Sequence, residues 1–170
     1  RITVNASGSE VDEVNLAAGE KPVKVSADVY ELIKLGLKYS EEFDGAFDIT
    51  VGPLTALWHI GFDDAKKPTQ EEIDAVLPLV NYKDVELNDA EQTVFLKKKG
   101  MQLDLGGIAK GYIADKVWEY FAKEGITTAV IDLGGNIVVM GGSPARDGVA
   151  WNVWIQDPDG SPGKTLGTSL

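Results

Sequence analysis

The stretch Asp104-Leu-Gly-Gly-Ile-Ala-Lys-Gly-Tyr-Ile-Ala-Asp115 decides how the second half of this sequence folds. A short apolar segment runs into two glycines, and apolar residues at helical spacing follow them. A glycine in a helix interior costs about 1 kcal/mol relative to alanine, and Lys110 in the first turn lies near the positive end of the helix dipole. Such a poor helix start points to a requirement other than helix stability.

Two interpretations of this helix start stay open. Free N–H groups at a helix N-terminus bind anions, glycines let a phosphate approach the backbone, and Lys110 would stand beside it. The alternative is a tight strand-to-helix turn with a solvated lysine. The spacing is neither a Walker A loop nor a GxGxxG motif, because the glycines are spaced differently and no Ser or Thr follows the lysine.

The composition is that of an ordinary globular protein, with 170 residues of which 44% are hydrophobic and 25% charged. The formal net charge of −11 argues against a nucleic acid or an anionic membrane surface as the main partner. There is no cysteine and a single histidine, His59, which excludes a zinc–thiolate site and disfavours a Ser-His-Asp triad. Chemistry must therefore rest on carboxylates, amides, hydroxyls, lysine, backbone groups and imported ions.

Apolar periodicity predicts an α+β fold in which a largely antiparallel sheet is packed with helices. Helices are predicted over 26–45, 69–77 and 106–125, with Ser26 as one N-cap and Thr69 and Glu72 at capping-box spacing. Strands are predicted at 2–4, 22–25, 85–87, 93–96, 101–103, 128–133, 137–140 and 151–155. We interpret residues 1–170 as a single domain.

Other motifs offer candidate ligand groups with simpler alternatives. Asp132-Leu-Gly-Gly135 repeats the Asp104-Leu-Gly-Gly107 pattern and either brings a second carboxylate to the same cleft or forms a plain turn, which we favour by roughly two to one. Asp48, after the small Ala46, could hold a ligand hydroxyl or ring nitrogen, or it could cap the following turn. The acidic pairs at 63–64 and 157/159 are expected to be solvated, and His59 to be a packed or surface residue.

The order of these motifs resembles the ApbE family of flavin transferases. The resemblance rests on Asp44-Gly-Ala-Phe-Asp-Ile-Thr-Val-Gly-Pro-Leu54 with Leu57-Trp58 and Gly61, on the opening stretch, on Asp132-Leu-Gly-Gly-Asn136, and on residues 151–158. It runs in unbroken order from near Ser9 to the C-terminus. One of these motifs alone is weak evidence, whereas all of them in sequence are specific.

The resemblance implies a magnesium-dependent transfer of FMN from FAD to a threonine hydroxyl of an acceptor protein, with release of AMP. Lys110 is the implied catalytic residue, which would neutralise the pyrophosphate together with the metal. The backbone carbonyl of Gly107 is the implied magnesium ligand. Asn15 falls at the adenine end, where other members carry tyrosine. The residues implied to bind FAD are Asn15, Ala46, Phe47, Asp48, Asp104 and Lys110.

The resemblance leaves two alternative functions open, a metal-dependent FAD pyrophosphatase that yields FMN and AMP, and a non-catalytic FAD-binding module. The family's domain extends beyond both ends of this sequence, so residues 1–170 are expected to be a partial domain that is inactive alone. Many members are exported and lipid-anchored at the outer face of the cytoplasmic membrane. We expect the same here through a segment outside this chain, with a cytoplasmic location as the alternative.

Overall fold

The computed structural model describes residues 8–60, 62–161 and 163–169. The chain divides into two compact units, residues 1–109 and 110–170, and each is described by itself. The interpretation of residues 1–170 as one partial domain stays a prediction. The strand predicted at 2–4 lies outside the described residues.

The first unit combines short helices with a small antiparallel sheet. Its strands lie in the order β1-β3-β2, so that Val94 of the central strand pairs with both Val23 and Leu87. The capping box predicted at Thr69 and Glu72 is present, since each side chain accepts from the other residue's backbone N–H. The elements are α1 (Glu10–Leu16), β1 (Val23–Lys24), α2 (Ala27–Glu42), α3 (Gly52–Trp58), α4 (Gln70–Val76), 3₁₀ turns at Leu77–Leu79 and Tyr82–Asp84, β2 (Val85–Asn88), β3 (Thr93–Leu96) and the start of α5 (Gly106–Lys123).

Helix α2 holds in place the loop that carries several candidate site residues. A Cβ added at Gly36 would lie 2.7 Å from the Ile49 Cγ2 methyl, so only glycine permits this approach of the helix to the loop. The buried Ser40 hydroxyl donates to the Gly36 carbonyl at 3.0 Å and accepts from the Ile49 N–H at 3.4 Å. Ile49 is fully buried. This contact fixes the backbone directly after Asp48.

Two local predictions need correction. Ser26 occupies the N-cap of α2, but its side chain makes no capping bond; its backbone N–H donates to Glu10 instead, at 2.7 Å. The strand predicted at 101–103 is wrong, because only Gln102 pairs, in a single parallel bridge to Val51. The backbone N–H and carbonyl of the next residue, Leu103, are bonded by the side-chain amide of Asn15 and not by a strand.

The second unit contains the rest of α5 and two antiparallel hairpins, β4 (Ala129–Asp132) with β5 (Ile137–Met140) and β6 (Val153–Gln156) with β7 (Thr165–Ser169). The repeated Asp-Leu-Gly-Gly motif forms the turn between β4 and β5. The Asp132 carboxylate accepts from the Gly135 N–H at 2.7 Å, and both glycines have positive φ. The motif therefore forms a turn; the alternative, that it also brings a second carboxylate to the cleft, stays a prediction.

The predicted α+β class with antiparallel pairing is confirmed, although the described strands form three small sheets rather than one. Helices α1 and α3 and strand β7 were not predicted. Ser9 caps α1 by accepting from the Asp12 N–H at 3.0 Å. Among the described residues, no helix is both long enough and apolar enough to cross a bilayer.

Candidate functional site

Asp104 is the centre of the strand-to-helix corner that opens α5. One carboxylate oxygen accepts from the Gly106 N–H at 2.9 Å, and the other accepts from the Thr55 hydroxyl at 2.9 Å. The Asp104 N–H donates to the Ile49 carbonyl at 2.8 Å. Asp104 therefore caps α5 and joins its first turn to α3 and to the loop after Asp48. Its carboxylate remains partly exposed.

The glycine pair at this corner permits close approach of neighbouring side chains. A Cβ added at Gly107 would lie 3.3 Å from Cε2 of Phe47, and one at Gly106 would lie 3.1 Å from an Asp104 carboxylate oxygen. The structure thus places the Phe47 ring beside Gly107, which lies sixty positions away in the sequence. Both glycines are exposed, so their backbone also remains accessible to a ligand.

Asp48 caps the turn that follows it and reaches a second loop. One of its carboxylate oxygens accepts from the Thr50 N–H at 2.8 Å and from the Thr50 hydroxyl at 2.7 Å. The other accepts from the Tyr82 N–H at 2.9 Å. A carboxylate has about four acceptor positions, so one is left for a ligand. The prediction that Asp48 caps the following turn is therefore confirmed. The FAD contact of Asp48 stays a prediction.

The turn at Tyr82–Asp84, which Asp48 contacts, is also held by an ion pair. Lys98 lies 2.7 Å from a carboxylate oxygen of Asp84, and the Asn81 amide donates to the same oxygen at 3.0 Å. The hydrogen bond from Lys98, helped by its positive charge and by Asn81, lowers the pKa of Asp84 below its ordinary value despite partial burial. The ionised carboxylate thus holds this turn against the segment that follows β3.

Asn15 holds α1 against the approach to the corner. Its Oδ1 accepts from the Leu103 N–H at 2.7 Å, and its Nδ2 donates to the Leu103 carbonyl at 3.1 Å. Leu103 is fully buried. These bonds supply hydrogen-bond partners to the backbone N–H and carbonyl of buried Leu103. Asn15 therefore has a structural role that the sequence did not reveal. Its predicted place at the adenine end is not tested by this geometry.

A cleft of about 630 Å³ opens beside Asn15 and Asp104 within the first unit. Its volume is in the range of small-molecule sites. Exposed apolar side chains at its rim include Leu16 and Ile60, which are 75% and 79% exposed. Its lining comprises Asp12, Asn15, Leu16, Gly52, Leu54, Thr55, Ala56, Trp58, His59, Ile60, Phe62, Gln102, Leu103 and Asp104. Asp48 and Ala46 are not part of that lining.

Helix α3 and the residues after it supply cleft groups that sequence reasoning did not select. The His59 ring stacks on Phe62 with 4.1 Å between ring centroids, and His59 Nδ1 lies 2.5 Å from an Asp64 carboxylate oxygen. The expectation of a packed or surface histidine agrees with a side chain that is 44% exposed. The sequence did carry one indication of helix α3: Pro53 lies in its first turn, a helix position that proline favours.

Lys110 lies one helical turn after the glycine pair. Residues at i+3 and i+4 share a helix face, so Lys110 stands on the same face of α5 as Gly106 and Gly107. Its side chain is exposed, and no ion pair to it occurs within the part of the chain that the structure describes. A free ammonium group at this point is consistent with both interpretations of the motif. Lys110 would bind an anion in one of them and would be a solvated surface lysine in the other.

Comparison with known proteins decides the family. A sequence model of the ApbE family matches residues 1–169. The chain belongs to the ApbE family. Among curated ApbE relatives, the FAD:protein FMN transferase of Klebsiella pneumoniae (strain 342) is 40% identical over 157 residues, which are 92% of this chain and 47% of the relative. That of Treponema pallidum (strain Nichols) is 36% identical over 171 residues, covering 94% of this chain and 47% of the relative.

Solved ApbE structures agree with this fold. The ApbE protein from Thermotoga maritima is 30% identical and matches with a TM-score of 0.86 over 98% of this chain and 53% of that one. The flavin transferase ApbE from Vibrio cholerae is 29% identical and matches with a TM-score of 0.79 over 92% and 50%. The predicted ApbE-like fold is confirmed. The chain spans about half the length of the relatives that it matches.

The described part of this ApbE chain does not assemble a metal site from its own side chains. Across residues 8–60, 62–161 and 163–169, no three His, Asp or Glu side chains lie close enough together to hold a metal ion. Asp64 faces His59, and Asp157 pairs with Lys164 at 3.0 Å. Magnesium prefers several oxygen ligands, often carboxylates and substrate phosphates. The predicted magnesium ligand at the Gly107 carbonyl stays a prediction.

Proposed function

We propose that this chain carries the FAD-binding part of an FAD:protein FMN transferase. The observation that supports it most is the corner at which Asp104 caps α5 while Phe47 lies against Gly107, beside an open cleft. The names of the curated relatives favour the same activity. The FAD contacts proposed for Asn15, Ala46 and Asp48 follow from the same assignment.

The pyrophosphate of FAD would lie at the start of α5. The helix dipole favours an anion there, and the exposed glycine backbone lets its oxygens come close. Lys110, on the same helix face, would neutralise negative charge on the phosphates. Charge neutralisation and positioning are the main contributions that a protein makes to phosphoryl transfer. Lys110 is thus the proposed catalytic residue.

The proposed reaction attaches FMN to a threonine of an acceptor protein. The threonine hydroxyl oxygen bonds to the phosphorus of the FMN half, the bond from that phosphorus to the bridging oxygen breaks, and AMP leaves with that oxygen. The hydroxyl proton is released. The proposal includes dependence on Mg²⁺, which when bound would neutralise phosphate charge. Its ligands besides the Gly107 carbonyl would include phosphate oxygens and groups outside the described residues.

A chimaera tests the proposal, with the matched 92% of this chain in place of the matched 157 residues of the Klebsiella relative. Incubated with FAD, Mg²⁺ and a threonine-bearing acceptor peptide, it should give a fluorescent flavinylated peptide and one AMP per flavin attached. Free FMN with unlabelled peptide would instead identify a pyrophosphatase. Bound FAD without AMP release, in a chimaera with native-like circular dichroism, would identify a binding module.

Residues 1–170 alone are proposed to be inactive as a transferase, because the chain spans about half the length of the relatives that it matches. The measurement is the same peptide assay with this chain as the only protein. Magnesium-dependent flavinylation by the chain alone would contradict this part of the proposal.

The proposed location is the outer face of the cytoplasmic membrane, through a lipid anchor. The support is the family resemblance alone. Fractionation of cells expressing the complete gene product, with protease accessibility of intact spheroplasts, distinguishes it from a cytoplasmic location.

A further inference from the structure

The chain contains the motif Asp-Leu-Gly-Gly twice, and the two aspartates use their carboxylates differently. In the turn between β4 and β5, Asp132 accepts from the N–H of the fourth residue of the motif, Gly135, at 2.7 Å. At the start of α5, Asp104 accepts instead from the third residue, Gly106, at 2.9 Å. The fourth residue there is Gly107, and its N–H has no hydrogen-bond partner among the residues that the structure describes. One backbone donor at the N-terminus of α5 is thus left open.

The side chain of an aspartate or asparagine can reach either of these two amides. Such side chains commonly accept from the backbone N–H two or three positions later. In the turn after β2, Asn88 Oδ1 accepts from both, at 3.0 Å from the Ala90 N–H and at 3.2 Å from the Glu91 N–H. An unrestrained Asp104 carboxylate would therefore be able to turn onto the Gly107 N–H and close it.

Thr55 on α3 restrains the Asp104 carboxylate. Its hydroxyl lies 2.9 Å from the carboxylate oxygen that Gly106 does not use, and 3.1 Å from the Gly52 carbonyl. A hydroxyl has one proton to donate, and a bond to a carboxylate is stronger than one to a carbonyl. The Asp104 carboxylate is thus held on both of its oxygens. Asp132, whose carboxylate has no second partner in the described parts of the chain, takes the fourth amide of its motif instead.

The approach of α3 to Asp104 is built into the backbone. A Cβ added at Gly52 would lie 2.6 Å from the Gln102 carbonyl oxygen, so glycine is required where α3 begins. The Gly52 N–H donates to that carbonyl at 3.2 Å, and the Asp104 N–H donates to the Ile49 carbonyl at 2.8 Å. These contacts hold the first turn of α3 against the residues that precede α5. The Thr55 hydroxyl therefore meets Asp104 at the wall of the cleft, which both residues line.

We propose that Thr55 is a positioning residue, which holds the Asp104 carboxylate on Gly106 and so keeps the Gly107 N–H open for a phosphate oxygen of FAD. Backbone N–H groups at a helix N-terminus bind phosphate. A carboxylate on the same N–H would occupy it and would repel the anion, because like charges repel. This role rests on the proposed function, since it concerns the phosphate that FAD would bring to α5. Thr55 acts through Asp104 and takes no part in the reaction itself.

The ligand-free chain tests the positioning without FAD. Thr55→Val keeps the branched shape and removes the hydroxyl, Thr55→Ala removes it with a better helix former, and Thr55→Ser keeps it. In ¹⁵N-labelled residues 1–170, amide hydrogen exchange at Gly107 should slow roughly tenfold in Thr55→Val and Thr55→Ala, as the carboxylate turns onto that N–H. Gly106 should lose protection at the same time, and Thr55→Ser should resemble the wild type. Unchanged exchange at both amides in either variant without the hydroxyl would overturn the inference.

Fluorescence titration with FAD measures the consequence for binding. We expect Thr55→Val to weaken FAD binding roughly tenfold, which is the effect of one hydrogen bond to a charged group, and Thr55→Ser to stay within about twofold of the wild type. With Asp104→Ala as the starting chain, no carboxylate can close the amide, so Thr55→Val should cause no further loss.

Two results of this titration would overturn the inference. One is unchanged FAD binding in Thr55→Val. The other is an equal loss when Thr55→Val is added to Asp104→Ala, because Thr55 would then not act through the carboxylate. If the wild-type chain binds no FAD while exchange at Gly107 slows in Thr55→Val, the proposed function fails and the positioning of Asp104 by Thr55 stands.

Discussion

Asp48→Ala should destabilise the first unit more than any other single change at the candidate site. Its carboxylate accepts three hydrogen bonds, at 2.8 Å from the Thr50 N–H, 2.7 Å from the Thr50 hydroxyl and 2.9 Å from the Tyr82 N–H. Thr50 is fully buried. Alanine would leave these donors without a partner, and the contact between the two loops would be lost.

The magnitude follows from the burial of the donors. A buried donor left unsatisfied costs about 1–3 kcal/mol, and water can reach part of this site because Asp48 is only partly buried. We therefore expect a loss of about 3 kcal/mol in the free energy of unfolding for Asp48→Ala. Asp48→Asn keeps one carbonyl oxygen for Thr50 and should lose only about 1 kcal/mol.

Urea denaturation followed by far-UV circular dichroism measures these losses, and amide hydrogen exchange at Thr50 and Tyr82 locates them. The matched control is Asp63→Ala, an exposed carboxylate in the same unit, which should change the free energy of unfolding by less than about 0.5 kcal/mol. A loss below about 1 kcal/mol for Asp48→Ala, with unchanged exchange at both amides, would refute the reasoning.

Three further predictions concern other parts of the first unit and α5. Asn15→Ala should lower the free energy of unfolding by about 2 kcal/mol, because buried Leu103 loses both backbone partners; a urea titration showing less than about 0.5 kcal/mol would contradict it. The Lys98 contact lowers the pKa of Asp84 below 3.8, so its stabilising effect is complete above that pH and is lost as the pH falls through the folded-state pKa. Melting temperatures of wild type and Lys98→Met should therefore differ above pH 3.8 and converge on acidification, and parallel curves would contradict this. Lys110→Ala should leave the free energy of unfolding within about 0.5 kcal/mol but weaken FAD binding in a fluorescence titration, whereas unchanged binding would identify a solvated lysine.

Local signals in the sequence predicted much of the fold. The capping box at Thr69 and Glu72, the apolar alternation of β2 and β3, and the apolar run of β5 each depend on neighbouring residues, and each appears in the structure. Helix α3 was missed because it is only seven residues long and its apolar stretch has no clear period. The strand predicted at 101–103 was wrong because Leu103 is bonded by the side chain of a distant residue, Asn15, which no local pattern could indicate.

For the candidate site too, local patterns were visible in the sequence and contacts between distant residues were not. The glycine pair and Lys110 were recognisable as an unfavourable helix start, and the two possible roles of Asp48 were both visible. The contact between Phe47 and Gly107 joins residues far apart in the chain, so no local pattern could reveal it. The same holds for the bond from Thr55 to Asp104. Such contacts arise only when α2, α3 and the corner pack together.

Chemical-shift mapping of FAD on ¹⁵N-labelled residues 1–170 tests the central claim most directly, because it locates even weak binding. The account predicts that shifts on titration with FAD cluster at the corner and its surroundings, namely Asn15, residues 46–48 and residues 104–110. The same titration on Lys110→Ala should need a higher FAD concentration for half-maximal shifts. Shifts confined to β6 and β7, or no shifts at millimolar FAD, would contradict the claim that this chain carries the FAD-binding part of a flavin transferase.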